Sequence, residues 1–178
     1  MLLFFIGMPG SGKSYWASKL AQEMEAHFID LDKLIIERSG QSIEELFAES
    51  EDKFREEERD ALHWIVQKHG AQQELFLIAT GGGTPCFFSN LKWMKQHGKA
   101  IFLNTDLKAI SHRLQQDPNQ RPLLTDSLLM MEEKVNQLYE ERKKFYHAAD
   151  YSISESQLNL TYLKSLILKI YKNHLKHV

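Results

Sequence analysis

Residues 7–14, GMPGSGKS, set three glycines, two serines and a lysine close together directly after an apolar run. The spacing of Gly7, Gly12, Lys13 and Ser14 fits G-x-x-x-x-G-K-[ST]. Glycines there let successive backbone N–H groups turn inward around phosphate oxygens. A helix starting at the lysine adds the partial positive charge of its N-terminus. In such a loop Lys13 reaches the β and γ phosphates, and the Ser14 hydroxyl ligates Mg²⁺. Gly10, Ser11, Gly12, Lys13, Ser14 and Tyr15 are therefore the candidate nucleotide contacts. A glycine-rich turn that binds nothing is the alternative; the flanking strand and helix patterns favour a nucleotide. The guanine-selecting N-K-x-D is absent, since NTDL at 104–107 lacks the lysine, so ATP is expected. The loop leaves the phosphate acceptor open: water, a protein, a nucleotide or a small metabolite.

Other groups with chemistry follow at intervals. FIDLDK ends the second apolar run with Asp30 and Asp32. Alternation along an extended chain would put both on one side, outside the carboxyl end of the sheet where ligands of α/β proteins bind. One carboxylate could then hold the metal or its waters while the other takes a proton from an acceptor hydroxyl. Alternatively, one of them simply caps the next helix, expected near Lys33. ATGGGTP, residues 79–85, supplies Gly81, Gly82 and Gly83, whose backbone can approach a ligand closely. Because that run ends in Ala79 and Thr80, an acid on the metal side must be Asp30. Arg55 sits among acids in EDKFREEERD, where Glu51 or Glu58 on the same helix face could neutralise it as a solvated ion pair. Arg113 lies in SHRLQQ, Arg121 in NQRPLL, and Arg142 in YEERKKFY beside two lysines.

These groups need a scaffold, and the apolar pattern describes one. Short runs at 2–6, 27–31, 75–79, 100–103 and 151–153 read as strands, with helical periodicity between them, most clearly over 50–69. Strands alternating with helices imply crossover connections and an α/β fold, a three-layer, doubly wound parallel sheet. The 178 residues suit one domain, 1–178, with an irregular patch at about 115–127 (QQDPNQRPLLTDS) as a mobile lid or a plain surface loop. The C-terminal segment carries Leu160, Leu163, Leu166, Ile167 and Ile170 on one stripe. That stripe suits a docking helix with lysines at its end better than a membrane-surface helix.

A net charge of −2 argues against a general nucleic-acid binder. One cysteine, Cys86, excludes an internal disulfide framework and fits a reducing compartment. The N-terminal apolar run is too short for a secretory signal, and no segment approaches the ~20 apolar residues of a membrane span. A cytoplasmic protein without membrane partners is expected. The eight histidines are scattered without metal-ligand spacing.

Taken in order, GMPGSGKS, DLD, FR, TGGG, RPLL, then ER and a tyrosine, the motifs run over essentially the whole chain. That order resembles the shikimate kinase family. The resemblance implies a usually monomeric enzyme that uses ATP and Mg²⁺ to phosphorylate the 3-hydroxyl of shikimate, on the route to chorismate and the aromatic amino acids. It implies that Asp32, Arg55, Gly81, Gly82, Gly83 and Arg142 surround shikimate and that Asp32 serves as the base. Arg121 would approach the transferring phosphate, Lys13 and Ser14 would keep their loop roles, and Asp30 would support the metal. Arg113 falls where the family has an arginine packing on adenine. Two departures stand out. The late motif reads Arg142-Lys-Lys-Phe-Tyr rather than arginine, any residue, Pro-Leu-Tyr, and TPCFFSNLKWM is unusually aromatic, with Phe87, Phe88 and Trp93 read as packing. The alternatives are a gluconate- or nucleotide-type P-loop kinase, or a nucleotide-binding homologue that transfers nothing.

Overall fold

The computed structural model describes residues 1–116 and 128–176. The expected lid, apart from its first two residues, lies outside them, and so does Arg121. β1 (Leu2–Ile6) leads through the phosphate loop into α1 (Lys13–Met24) and β2 (His27–Asp30). Three helices follow, α2 (Leu31–Ser39), α3 (Ile43–Glu49) and α4 (Glu51–His69), before β3 (Phe76–Ala79). Next come α5 (Asn90–His97), β4 (Gly98–Asn104), α6 (Leu107–Gln116), α7 (Leu128–Tyr146), β5 (Tyr151–Ser154) and α8 (Leu160–Leu175). α3 is short because both ends carry caps. Ser42 and Glu45 form a capping box at its start, and Ser50 ends it while accepting from the Lys53 amide to open α4.

The five strands form one parallel sheet in the order β2-β3-β1-β4-β5. β1 lies between β3 and β4, so all five of its residues are buried. The side-chain alternation of a strand divides them between two cores. Leu2, Phe4 and Ile6 join residues of α2 to α7, whereas Leu3 and Phe5 join Ala17, Leu20 and Ala21 of α1 and Leu163, Ile167 and Ile170 of α8. Helices thus cover both faces, and the architecture is the expected doubly wound α/β sheet. The chain crosses over β1 between β3 and β4, which makes the carboxyl end of β1 the switch point where such sheets bind ligands.

α8 docks on the sheet as its stripe suggests, with Leu160 and Leu166 packed at the margin of that smaller core. Lys172 and His174 occupy its last turn. Among the described residues no helix is long and apolar enough to cross a membrane. Because Ile167 is fully buried and its neighbour Leu168 is 38% exposed, the docking geometry makes a sharp contrast. Ile167→Ala should lower stability by about 2–5 kcal/mol, and Leu168→Ala should change it by less than about 0.5 kcal/mol, both read from urea unfolding. Equal effects would place the docked face elsewhere.

Candidate active site

Gly12 stands as the N-cap of α1 with φ +90°, a left-handed conformation that glycine adopts without the crowding of a β-carbon. That turn drives Lys13 back under the loop. Its Nζ donates to the carbonyls of Met8 at 2.7 Å and Gly7 at 3.0 Å, and the side chain is buried. The loop is tied to the neighbouring strand end by the Thr105 hydroxyl, which donates to the Ser11 carbonyl at 3.0 Å. Next to β1, the Thr80 hydroxyl donates to the Phe5 carbonyl at 3.0 Å. Gly10, Gly12, Lys13, Ser14, Tyr15, Asp32, Gly81, Gly82 and Arg113 line one cleft of about 470 Å³. Arg113 stands at its mouth, half-exposed, donating to the Gly10 carbonyl at 3.3 Å and paired with Glu155 at 3.2 Å.

The two aspartates do not alternate along a strand. β2 stops at Asp30 and α2 begins at Leu31, so Asp32 sits in the first helical turn. The cap is Asp30, whose Oδ1 accepts from the Lys33 amide at 3.3 Å. Asp32 lines the cleft with Lys13, Gly81 and Gly82. Asp30 lines an adjoining recess with Ser14, Tyr15 and Lys33. The change from a strand's turn of about 180° per residue to a helix's 100° separates the two carboxylates.

The triplet needs glycine because three other groups crowd its backbone. A β-carbon at Gly81 would lie 2.5 Å from Glu58 Oε1, one at Gly82 2.6 Å from Pro9 Cδ, and one at Gly83 2.6 Å from Arg55 Nη1. The phosphate loop, α4 and the β3 turn therefore meet at van der Waals contact. Tyr146, fully buried at the end of α7, locks the turn from behind by donating to the Gly82 carbonyl at 2.8 Å. One helical turn earlier on α7 stands Arg142, half-buried, whose Nη1 is out of water with no hydrogen-bond partner among the described residues.

Arg55 is not a solvated ion pair. It is 4% exposed, and its nearest ionic partner, Glu58, is fully buried. Arg55 Nη1 donates to Glu58 Oε2 at 2.6 Å, while Nε and Nη2 donate to Glu51 Oε1 at 3.2 and 2.9 Å. Thr84 Oγ1 donates to the other Glu58 oxygen at 2.6 Å. Glu58 is a site residue that sequence reasoning missed. Its signal was the inward stripe of α4 (Phe54, Arg55, Glu58, Ala61, Leu62, Ile65), on which Glu58 follows Phe54 by four residues. The run of acids around it masked that position. The charges of Arg142 and Arg55 favour the thiolate of Cys86, which lies between the triplet and α5. Burial nevertheless pushes its thiol up to about 11.

Burial also raises the Glu58 carboxyl, with the charge of Asp32 adding to the effect and Arg55 and Thr84 opposing it. A folded-state value above the ordinary 4.5 means that its contribution to stability is complete below about pH 4.5 and is lost as pH rises through the raised value. The stability difference between the native chain and Glu58→Gln should therefore move against the native chain as pH increases above 4.5. Urea unfolding of both proteins across this range measures it, and a difference independent of pH would mean that Glu58 titrates as in the unfolded chain.

The chain is similar to known proteins over most of its length. The shikimate kinase family model matches residues 9–171. The shikimate kinase of Phocaeicola vulgatus is 38% identical over 160 residues, covering 88% of this chain and 87% of that protein. That of Sulfurihydrogenibium sp. is 36% identical, covering 85% of this chain and 86% of its own. Among solved structures, shikimate kinase from Bacteroides thetaiotaomicron superposes with a TM-score of 0.85 at 33% identity, covering 94% of this chain and 98% of that one. Shikimate kinase from Acinetobacter baumannii in complex with shikimate gives 0.78 at 28% identity, covering 99% and 93%. A gluconokinase from Sinorhizobium meliloti, at 0.63 and 13% identity over 98% of this chain and 95% of its own, shares the fold alone. With a match that runs from the phosphate loop into the last helix, and relatives aligned over most of their own lengths, this chain belongs to the shikimate kinase family.

Proposed function

We propose that this chain transfers the terminal phosphoryl group of ATP to the 3-hydroxyl of shikimate, giving shikimate 3-phosphate. The observation that carries the reading is that Asp32 and Arg55 both abut the glycine triplet, at Gly81 and Gly83, while Arg142 stands one helical turn before the Tyr146 that bonds the Gly82 carbonyl. Two guanidinium groups beside the turn that borders the phosphate-loop cleft suit a small acceptor that bears a carboxylate and a hydroxyl. The related enzyme from Acinetobacter baumannii, solved in complex with shikimate, supports the same acceptor.

Phosphoryl transfer is mostly positioning and charge neutralisation. Lys13 would turn its ammonium from the loop carbonyls to the β and γ phosphates, with the backbone amides from Gly10 to Ser14 cradling them. Ser14 and Asp30, oxygen donors on one recess, fit the hard-donor preference of Mg²⁺ and would hold it directly or through water. When bound, the ion would neutralise phosphate charge. Asp32 would orient the 3-hydroxyl and accept its proton as the oxygen bonds to phosphorus and the bond to the ADP oxygen breaks. Arg121 and its lid, by family resemblance, would complete the charge balance and exclude water. Glu58 would hold Arg55 in place from below.

The direct test is ADP release that requires shikimate and is not supported by gluconate or a nucleoside monophosphate. Absence of shikimate-dependent release from the folded protein would overturn the reading. Asp32→Asn should lower kcat by about 10²–10⁴, the usual worth of a positioned base, without unfolding the chain. An unchanged kcat would remove Asp32 from the chemistry.

The carboxylate grip makes a separate prediction. Arg55→Lys or Arg142→Lys keeps the charge but loses the planar fork, so KM for shikimate should rise roughly ten- to hundredfold while KM for ATP changes little. The methyl ester of shikimate should be a poor substrate for the native enzyme. Equal use of ester and acid would exclude a carboxylate clamp.

A further inference from the structure

The aromatic segment after the triplet does not behave as core. Trp93 packs against the larger apolar cluster, but Phe87 and Phe88 belong to neither cluster. Phe87 instead lies over Arg55, its ring centroid 4.2 Å from the guanidinium carbon. Phe54 and Phe47 lie farther from the same carbon, at 5.0 and 5.6 Å. These two stack on each other at 4.3 Å within the core, so packing alone accounts for them. Phe87 has no such second reason for its place.

The backbone that delivers Phe87 is strained. Phe88 and Ser89 adopt φ +47° and +59°, consecutive left-handed residues that carry β-carbons. Such outliers persist where the surroundings over-determine them. Here the Asn90 amide donates to the Phe87 carbonyl at 2.8 Å, and the buried Asn90 side chain donates to the Thr84 carbonyl at 3.0 Å. The turn throws Phe88 outward, half-exposed above Arg59, and leaves Phe87 facing Arg55.

We propose that Phe87 is a positioning residue for the substrate: its ring holds the Arg55 guanidinium flat, so that the donors left over from Glu51 and Glu58 meet the substrate carboxylate. A guanidinium has five N–H donors. One on each nitrogen is engaged, two on Glu51 and one on Glu58, which leaves two for a ligand. The acids fix the edges of the ion but do not stop it from rocking about them. The Phe87 ring, 4.2 Å from the guanidinium carbon, would stop it, and the close backbone of Gly83, where a β-carbon would come within 2.9 Å of that carbon, limits it as well. The inference rests on the reading that Arg55 grips the substrate carboxylate.

Steady-state kinetics of Phe87→Leu, which keeps apolar bulk but removes the ring, tests it. KM for shikimate should rise about three- to tenfold, within the range of a partly desolvated cation–π contact, and far more than KM for ATP. Phe87→Tyr, which keeps the ring, should restore KM to within about twofold of the native value. In an Arg55→Lys background, where no planar ion remains to be held, Phe87→Leu should add less than about twofold. Phe87→Met serves in the same scheme if the leucine variant does not fold. A folded Phe87→Leu enzyme with native KM for shikimate, an equal rise for ATP, or the full effect persisting in the Arg55→Lys background would each overturn the proposal. If Arg55→Lys alone leaves KM for shikimate unchanged, the carboxylate reading fails and this proposal falls with it. A large effect of Arg55→Lys with none of Phe87→Leu refutes the positioning role only.

Discussion

A guanidinium and a carboxylate taken out of water together lose hydration that only close, well-directed bonds can offset. Arg55 and Glu58 meet that demand at 2.6 Å, and the cleft is built around the result. Glu58 needs a second donor, and Thr84 supplies it from the turn after β3. Arg55 Nε and Nη2 each place one donor on Glu51 in the first turn of the same helix. A buried pair of this kind is weak support for stability as such, yet losing one partner strands the other, at about 3–5 kcal/mol. The pair lies within α4, and the link from α4 to the triplet turn is the Thr84 hydroxyl donating to the Glu58 carboxylate that Arg55 holds in place.

The glycines follow from that fixation. Parallel neighbours in a sheet stand roughly 4.8 Å apart, so the loops leaving β1, β2 and β3 must share very little room above the sheet. The triplet admits Glu58, Pro9 and Arg55 at distances that a β-carbon would forbid. The phosphate loop and the α4 ion pair are thus joined through one stretch of bare backbone, and Tyr146 holds that stretch from α7. Acceptor-side and phosphate-side groups are consequently set by the same few contacts. A displacement at Gly82 would reach Pro9 on one side and, through Tyr146, the helix of Arg142 on the other.

Much of this arrangement was legible in the chain. The inner strands β1, β3 and β4 were marked by apolar runs because a parallel sheet buries both of their faces, whereas the edge strands β2 and β5 are mixed and only partly buried. The order of strands in the sheet was not legible, since nothing in a run such as FLIA says which neighbours it will have. The phosphate loop was readable because its chemistry is local. Asp30 and Asp32 were read with the wrong period, as strand alternation, because the boundary between β2 and α2 falls between them and Leu31 suits either state. Arg55 was visible as a candidate, but its burial was hidden by the acids on every side. Glu58 was hidden by the same run, although its place four residues after Phe54 marks the inward stripe. Phe87 resembled core because a ring's partner lies far away in sequence, and a guanidinium is as good a partner as another apolar group.

Arg55 and Arg142 would be unequal members of the proposed clamp. Arg55 has donors engaged on all three nitrogens, a ring on its plane and little freedom left. A carboxylate that met it would gain directional bonds at almost no ordering cost, because the ion is already set. Arg142 has a buried Nη1 donor with no hydrogen-bond partner among the described residues, and an unsatisfied buried donor costs on the order of 1–3 kcal/mol. A carboxylate that met it would relieve that cost in addition to forming the bond. Orientation would then come chiefly from Arg55 and affinity chiefly from Arg142. Such a division would suit the proposed acceptor, whose hydroxyl would have to meet Asp32 in one pose and whose grip would have to be released after transfer.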